Sequence, residues 1–440
     1  MRKSRYTKLA DVVAKAIENG SLPPGKRLPT HRSIAEQYGV ALATATRAYR
    51  ELERRGLIVG EAGRGMFVRD PGLPLTLGVE QTATEGMIDL VFNMPGDTAD
   101  PDILRAGLKR LAASGDVEAM LRYQPHGGRP HERMIIASDL KRSLGEIEPE
   151  CLLITSGGQH GLAIAVLGLM QRGDVIATDA LTYPGFKSIA ALHGLTLLPI
   201  TNAKGCMNPE DLEHQCRTQK LRAVYLMPTV HNPLGTVMDM SVRMQLVEVA
   251  RRNDLIIIED SAYAFLEPDP PLSFIELAPE RTVHIGGFSK SLATGLRLGY
   301  LIAPAHHVNK LSHVIRATTW NAPALISALV TGWIEDGTLD RSEENRRRDG
   351  AQRQRLCHDI LGDIQIVSHR NAGFAWLPLS AGRRAEPIVA SLNEKGVSVS
   401  TGEPFSVTDA VPQALRIAFG GISKNELIPA FEKVRDAVTC

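Results

Sequence analysis

Lys290 stands in the stretch Ile285-Gly-Gly-Phe-Ser-Lys-Ser-Leu-Ala-Thr-Gly-Leu-Arg-Leu-Gly-Tyr300. Val283 and Ile285 read as a buried strand, Gly286-Gly287 break it, and the lysine follows the break, with Arg297 seven residues further on. A lysine at a strand end is a nucleophilic amine when its surroundings lower its pKa. Schiff-base formation with a carbonyl cofactor is the main chemistry for which proteins use it. A lone lysine is more often a solvated surface residue, so the meaning of Lys290 depends on what stands beside it.

Four further apolar runs end in residues capable of chemistry. Leu152–Thr155 leads into Ser156-Gly157-Gly158-Gln159-His160 and an apolar helix; a glycine turn before a helix N-terminus presents free backbone N–H groups to an anion. The run 174–177 precedes Tyr183-Pro184-Gly185, which puts an aromatic ring near a strand end. The run 223–227 ends in Pro228-Thr-Val-His-Asn232-Pro233-Leu-Gly235, and 255–259 in Asp260, with Tyr263 following. Strands and helices alternate from about residue 150, which predicts an α/β domain with a mostly parallel sheet covered on both faces. Such sheets bind ligands at their carboxyl edge. That edge receives Gly158, Gln159, Tyr183, Asn232, Asp260, Tyr263 and Lys290. The set meets the needs of pyridoxal 5'-phosphate: a lysine for the imine, an acid for the pyridine nitrogen, a ring for stacking, donors to the phenolic oxygen and phosphate ligands.

The first 70 residues have a different character. They carry 14 lysines and arginines against 7 acidic residues, whereas the whole 440-residue chain has a net charge of only +1. A basic head on a mildly acidic body implies an anionic partner for the head. Leu9, Val12, Val13 and Ile17 share one helical face that stops at Gly20 and Pro23-Pro24-Gly25; Thr30 caps a second helix, Gly39 turns the chain, and a third helix runs over about 41–55. Two short strands, 57–60 and 66–68, flank Glu61-Ala62-Gly63-Arg64-Gly65. This is the pattern of a winged helix-turn-helix, which predicts double-stranded DNA as partner. Thr44, Thr46 and Arg47 are the expected groove contacts, Arg32 the backbone contact, and Arg64 the wing-tip contact.

The five cysteines (Cys151, Cys206, Cys216, Cys357 and Cys440) show neither a disulfide framework nor metal-ligand spacing, and no apolar run is long enough to span a membrane. A cytoplasmic protein without a bound metal is expected. Residues 1–70 form the head, 71–86 a linker entered through the turn-rich Asp70-Pro-Gly-Leu-Pro74, and 87–440 the body. The body's last part, about 340–440, forms a small α+β domain with a charged helix over 340–361, strands over 364–367, 374–377, 397–400 and 415–419, and a final helix from Ser423.

The head resembles the GntR-type winged helix in Gly20-x-Leu22-x-Pro24-Gly-Lys-Arg-Leu-Pro29, Arg32-x-Ile-Ala35, Gly39-Val40, Arg47-Ala-Tyr49 and Gly63-Arg-Gly-Met-Phe67-Val. Leu42 and Ala43 depart from it, standing where that family usually has polar or basic groove-reading residues. The body looks like the fold-type I, aspartate-aminotransferase-like enzymes, and the fusion looks like the MocR subfamily of transcription regulators. The resemblance implies that Lys290 forms the internal aldimine and Asp260 pairs with the pyridine nitrogen. It implies further that Asn232 and Tyr263 hold the phenolic oxygen, Tyr183 stacks on the ring, and Gly158, Gln159, Ser289 and Arg297 bind phosphate. Arg416, in Leu415-Arg-Ile-Ala-Phe-Gly420, matches the arginine that grips a substrate carboxylate. Asn93 lines the amino-acid pocket, and Tyr123, before Gly127-Gly128, reaches the neighbouring subunit's phosphate in a homodimer. Gly287 departs from the family pattern, since many relatives have a serine there.

Three functions fit these residues. The first is a pyridoxal-phosphate-dependent regulator that senses an amino acid or amine, or the cofactor itself, through aldimine exchange at Lys290, with small-domain closure shifting the heads on DNA. The second is a working aminotransferase with a DNA-binding head, and the third a dimerisation scaffold with a vestigial site. The complete head favours the first, in which half-transamination remains chemically open.

Overall fold

The computed structural model describes residues 5–18, 20–22, 26–54, 57–61, 65–68, 86–94, 101–113, 117–203, 205–408 and 410–439. The linker expected at 71–86 lies outside these residues except for Gly86, and Arg64 lies outside them as well. The chain divides into two compact units, Met1–Leu77 and Gly78–Cys440.

In the first unit, helices α1 (Arg5–Glu18), α2 (His31–Gln37) and α3 (Leu42–Arg54) precede an antiparallel pair of strands, β1 (Ile58–Glu61) and β2 (Gly65–Val68). Thr30 caps α2 by accepting from Ser33 N at 3.2 Å, and Gly39 takes the positive φ of 60° that the turn between α2 and α3 requires. The heart of the unit is apolar: Leu9, Val13 and Ile17 of α1 meet Ile34 of α2 and Ala45, Ala48 and Leu52 of α3. The Tyr49 hydroxyl donates to Pro29 O at 2.7 Å, fixing α3 against the start of α2.

The second unit is built on a seven-stranded sheet made of β3 (Leu152–Thr155), β4 (Val175–Asp179), β5 (Thr196–Ile200), β6 (Leu221–Leu226), β7 (Ile256–Asp260), β8 (Thr282–Gly287) and β9 (Gly299–Ile302). Their spatial order is β3-β9-β8-β7-β6-β4-β5. All neighbours are parallel except β9, which runs antiparallel to both β3 and β8. Burial on both faces explains the continuous apolar runs: Ile256, Ile257 and Ile258 are all buried, the first and third in one core cluster and the second in another.

Within the span expected for the small domain lies a three-stranded antiparallel sheet, in which β10 (Phe374–Pro378) and β11 (Ser400–Thr401) flank β12 (Ala414–Ala418). Helices Thr338–Leu361, Ala385–Glu394 and Lys424–Thr439 cover it. Two expected strands take other forms. Of 364–367 only Val367 pairs, as a single bridge with Trp376, because Ile364 N is still engaged with Leu361 O in the turn leaving the long helix. The run 397–400 divides at Val399: Val397–Ser398 pairs in parallel with Ile88–Asp89, and Ser400–Thr401 pairs with β12.

Candidate functional site

Asp260 closes β7 and is buried. Its carboxylate accepts from the Tyr225 hydroxyl at 2.8 Å and from Ala262 N at 3.1 Å. Burial pushes its pKa above the usual carboxylate value, and these two neutral donors pull it only partly back. His284 also pulls it down electrostatically, and among the described residues no lysine or arginine forms an ion pair with it. Its neighbour Glu259 points to the other face of the sheet, as strand alternation demands. There it meets His284, its register partner on β8, at 2.8 Å, while the other nitrogen of that imidazole lies 2.9 Å from Ser261 Oγ. Glu259 also accepts from Phe274 N and Ile275 N. This chain of groups clamps the Asp260–Ser261 corner from behind.

Lys290 follows the end of β8. Its Nζ donates to Asn93 O at 2.7 Å and lies 5.7 Å from the centre of the Tyr263 ring. Asn93 Nδ2 in turn donates to the Tyr263 hydroxyl at 3.0 Å. Together Asn93, Tyr263 and Lys290 also border a small crevice shared with Arg346 and Arg353 of the long helix.

Opposite, β3 turns through Gly157 (φ 88°) into helix Gly158–Leu169. A Cβ at Gly157 would lie only 3.1 Å from Arg297 Nη2, so this glycine is what lets the guanidinium approach the helix start. Arg297 holds φ 49°, in the left-handed region that non-glycine residues seldom occupy. The positive end of a helix and a guanidinium thus converge, with Ser289 Oγ 3.5 Å from Arg297 Nη1. A side chain at Gly287 would crowd Leu298 O at 3.2 Å and Gly299 Cα at 3.3 Å, so the glycine there suits the tight packing of β8 against β9.

These elements enclose a cavity of about 150 Å³ lined by Gly158, Gln159, Tyr183, Asp260, Tyr263, Ser289, Lys290 and Arg297, among others. Gln159 Nε2 donates to Gly185 O at 2.9 Å, whereas its Oε1 is buried without a partner. Burial raises the pKa of the Tyr183 phenol, which keeps it neutral. Asn232 is buried but is not among the lining residues, and its Oδ1 also lacks a partner. Beside it, His231 Nε2 lies 3.7 Å from Asp179 Oδ2. Burial lowers that imidazole to about 4 and raises that carboxyl to about 7.

Arg416 lies on β12, buried over the rings of Phe374 and Phe405 at 5.0 and 5.7 Å. Nη1 donates to Val91 O at 2.8 Å, Nε has no partner, and burial lowers its pKa to about 10. Among the described residues no carboxylate pairs with it. Segment Val91–Asn93 therefore touches both Arg416 and Lys290. Tyr123 stands apart: it is 86 % exposed and packs against Trp320, at 5.5 Å between ring centroids.

In the head, Arg32 and Arg47 are exposed and Thr44 is half-buried; the Thr46 hydroxyl donates back to Leu42 O at 3.0 Å. Sequence reasoning missed Tyr225, His284 and Ser261. The signal was present in part, since Tyr225 and His284 are polar-tipped residues inside otherwise apolar strands.

An anion cradle, a strand-end lysine, a buried acid and orphaned polar atoms on a mostly parallel sheet fit pyridoxal phosphate, the cofactor of this class of protein. Residues 85–434 match the family described as aminotransferase class I and II, and residues 5–68 the bacterial regulatory proteins of the gntR family. The chain belongs to the aminotransferase class I and II family and carries a gntR-family head. It is 28% identical over 420 residues to the HTH-type transcriptional regulator YdeF of Bacillus subtilis, covering 94% of this chain and 90% of that one. The HTH-type pyridoxine biosynthesis transcriptional regulator PdxR of Corynebacterium glutamicum is 25% identical, with 98% and 96% covered. The "Probable rhizopine catabolism regulatory protein MocR" of Rhizobium meliloti is 26% identical, with 85% and 80% covered. Among solved structures, an archaeal alanine:glyoxylate aminotransferase superposes with a TM-score of 0.74 at 24% identity, covering 80% of this chain and 91% of its own. That likeness carries the fold alone. Among the described residues no helix is long and apolar enough to cross a membrane.

Proposed function

We propose that this transcription regulator reads a small amino acid or amine at its pyridoxal-phosphate site and transmits the result to DNA through the gntR-family head. The observation that carries this reading is a pair of buried ionisable groups of opposite sign, Asp260 and Arg416, neither of which forms an ion pair among the described residues, with Arg416 Nε left without a hydrogen-bond partner. A buried charge without a partner is costly, and proteins keep one where a ligand supplies the counter-charge.

In this reading Asp260 would hold a protonated ring nitrogen. Arg297, Ser289, Gly158 and Gln159 would hold the cofactor's phosphate, Tyr183 would stack on its ring, and Asn232 with Tyr263 would engage its phenolic oxygen. The cofactor, when bound, supplies a carbonyl carbon that condenses with primary amines. Lys290 is the amine of the resting protein, and Arg416 receives the carboxylate of an incoming amino acid as a charge-assisted pair. Tyr123, largely exposed beside Trp320, is suited to the phosphate of a partner subunit, and its exposed neighbour Leu121 (86 %) supports a homodimer.

The test is a titration of the cofactor-loaded protein with an amino-acid panel, following the visible spectrum and DNA affinity together. A sensor shifts both with one class of amine and forms no more than about one equivalent of product. Sustained turnover at about 1 per second or faster assigns the body to catalysis instead. Arg416→Leu is expected to weaken the response to amino acids by about 10- to 100-fold while leaving the cofactor's own absorbance in place.

A further inference from the structure

Helix α3 turns a mixed face outward. Ala45, Ala48, Tyr49 and Leu52 are buried, whereas Leu42 (53 %), Ala43, Arg47 and Arg50 are exposed and Thr46 is half-buried. Residues 42, 46 and 50 form one row along a helix, and 43 and 47 form the adjacent row. The stripe is thus apolar over the first turn and cationic behind it. Thr46 adds little donor capacity to this face, because its hydroxyl proton is used on Leu42 O.

A single exposed leucine is ordinary on a protein surface. Leu42 differs in its place, at the leading turn of the second helix of a helix-turn-helix, whose first residues meet base edges in the major groove. Ala41 and Ala43 flank it, both exposed. In that groove every base presents polar groups, thymine its O4 acceptor, and only thymine adds an apolar group, its C5 methyl. An apolar turn set against the other three edges leaves their polar groups desolvated and unpaired, which is costly. The basic face around it, with Arg32, Arg47 and Arg50 exposed, complements the phosphates on either side.

We propose that Leu42 and Ala43 recognise thymine methyl groups in the operator half-site, with Arg47 and Arg50 on the flanking phosphates. The proposal rests on the DNA-binding reading of the head and gives it a base preference.

The experiment uses the full-length, cofactor-loaded chain. A duplex is first selected from a randomised library, and each thymine is then replaced singly by uracil, which differs only in lacking the methyl. Uracil at one or two positions per half-site is expected to weaken binding by about fourfold each, the value of one buried methyl group. Leu42→Ala is expected to bind the thymine duplex more weakly and to lose that difference at one position. Leu42→Met, which keeps an apolar tip, retains it. Arg47→Ala lowers the salt slope of binding and leaves the uracil effect in place. Leu42 is exposed, so a thermal melt matching the parent's verifies folding of its variants. Tight, salt-dependent binding that is indifferent to uracil at every position, or equal uracil sensitivity in Leu42→Ala, overturns the proposal alone. Absence of salt-dependent binding to any duplex overturns the DNA-binding reading beneath it.

Discussion

At the residue scale the proposed chemistry rests on Asp260 and Lys290. The Asp260 carboxyl titrates higher in the folded chain than in the unfolded one. Its contribution to stability is therefore lost as pH rises through the unfolded value near 3.8 toward the folded value, and at neutral pH the ionised group opposes folding. Asp260→Asn is expected to leave the cofactor-free protein melting at the same or a higher temperature at pH 7.5, with the difference closing toward pH 4. Its cofactor affinity is expected to fall by at least about tenfold, one unit of differential pairing. A lower melting temperature at pH 7.5 would contradict the assignment. Lys290→Ala should abolish the absorbance of lysine-linked cofactor while the phosphate, ring and Asp260 contacts keep measurable non-covalent binding. An unchanged spectrum would show that another amine carries the cofactor.

At the scale of elements, strand ends do the positioning. Parallel strands β7 and β8 end side by side, with Asp260 in register with Ile285, so the acid and the lysine loop are brought together by backbone pairing before any side chain contributes. The long helix Thr338–Leu361 supports the lysine loop from below: Arg346 Nη2 donates to Leu292 O, and Ser342 Oγ to Ser291 O. On that helix Glu343 is pushed up to about 7 by burial, with Asp139 adding to the shift and Arg347 opposing it. Stability from this group is lost as pH rises from about 4.5 through 7. Glu343→Gln is expected to stabilise the body by about 1 kcal/mol at pH 8, with no difference below pH 4, as read by denaturant titration.

For the whole molecule, the exposed surface of the body carries the prediction. Tyr123 is not among the residues that line its own chain's cavity, so its effect on cofactor binding is expected only in an assembled dimer. Tyr123→Ala should weaken cofactor binding about three- to tenfold, a lost neutral hydrogen bond. Co-expression with the Lys290→Ala chain should restore one competent site per mixed dimer, measured as cofactor bound per chain. Equal, unrestored loss in the mixture would place Tyr123 outside the site.

The sequence by itself determined the elements that obey local rules. Buried parallel strands read as unbroken apolar runs, glycines mark the turns after them, and Lys290, Asp260, Tyr183 and Gly158 stand just beyond those runs because a strand's end is where a side chain can face a ligand. Thr30 and Gly39 announced the helix-turn-helix in the same way. Only the tertiary structure decided what depends on pairing across distance: that Tyr225 donates to Asp260, that His284 falls opposite Glu259, that Val91 and Asn93 join Arg416 to Lys290, and that the run 397–400 changes partners halfway. Each of these rests on register or on contacts between residues far apart in the chain. Periodicity identifies which face of a strand is buried, but the partner it meets there is chosen by the packing of the whole chain.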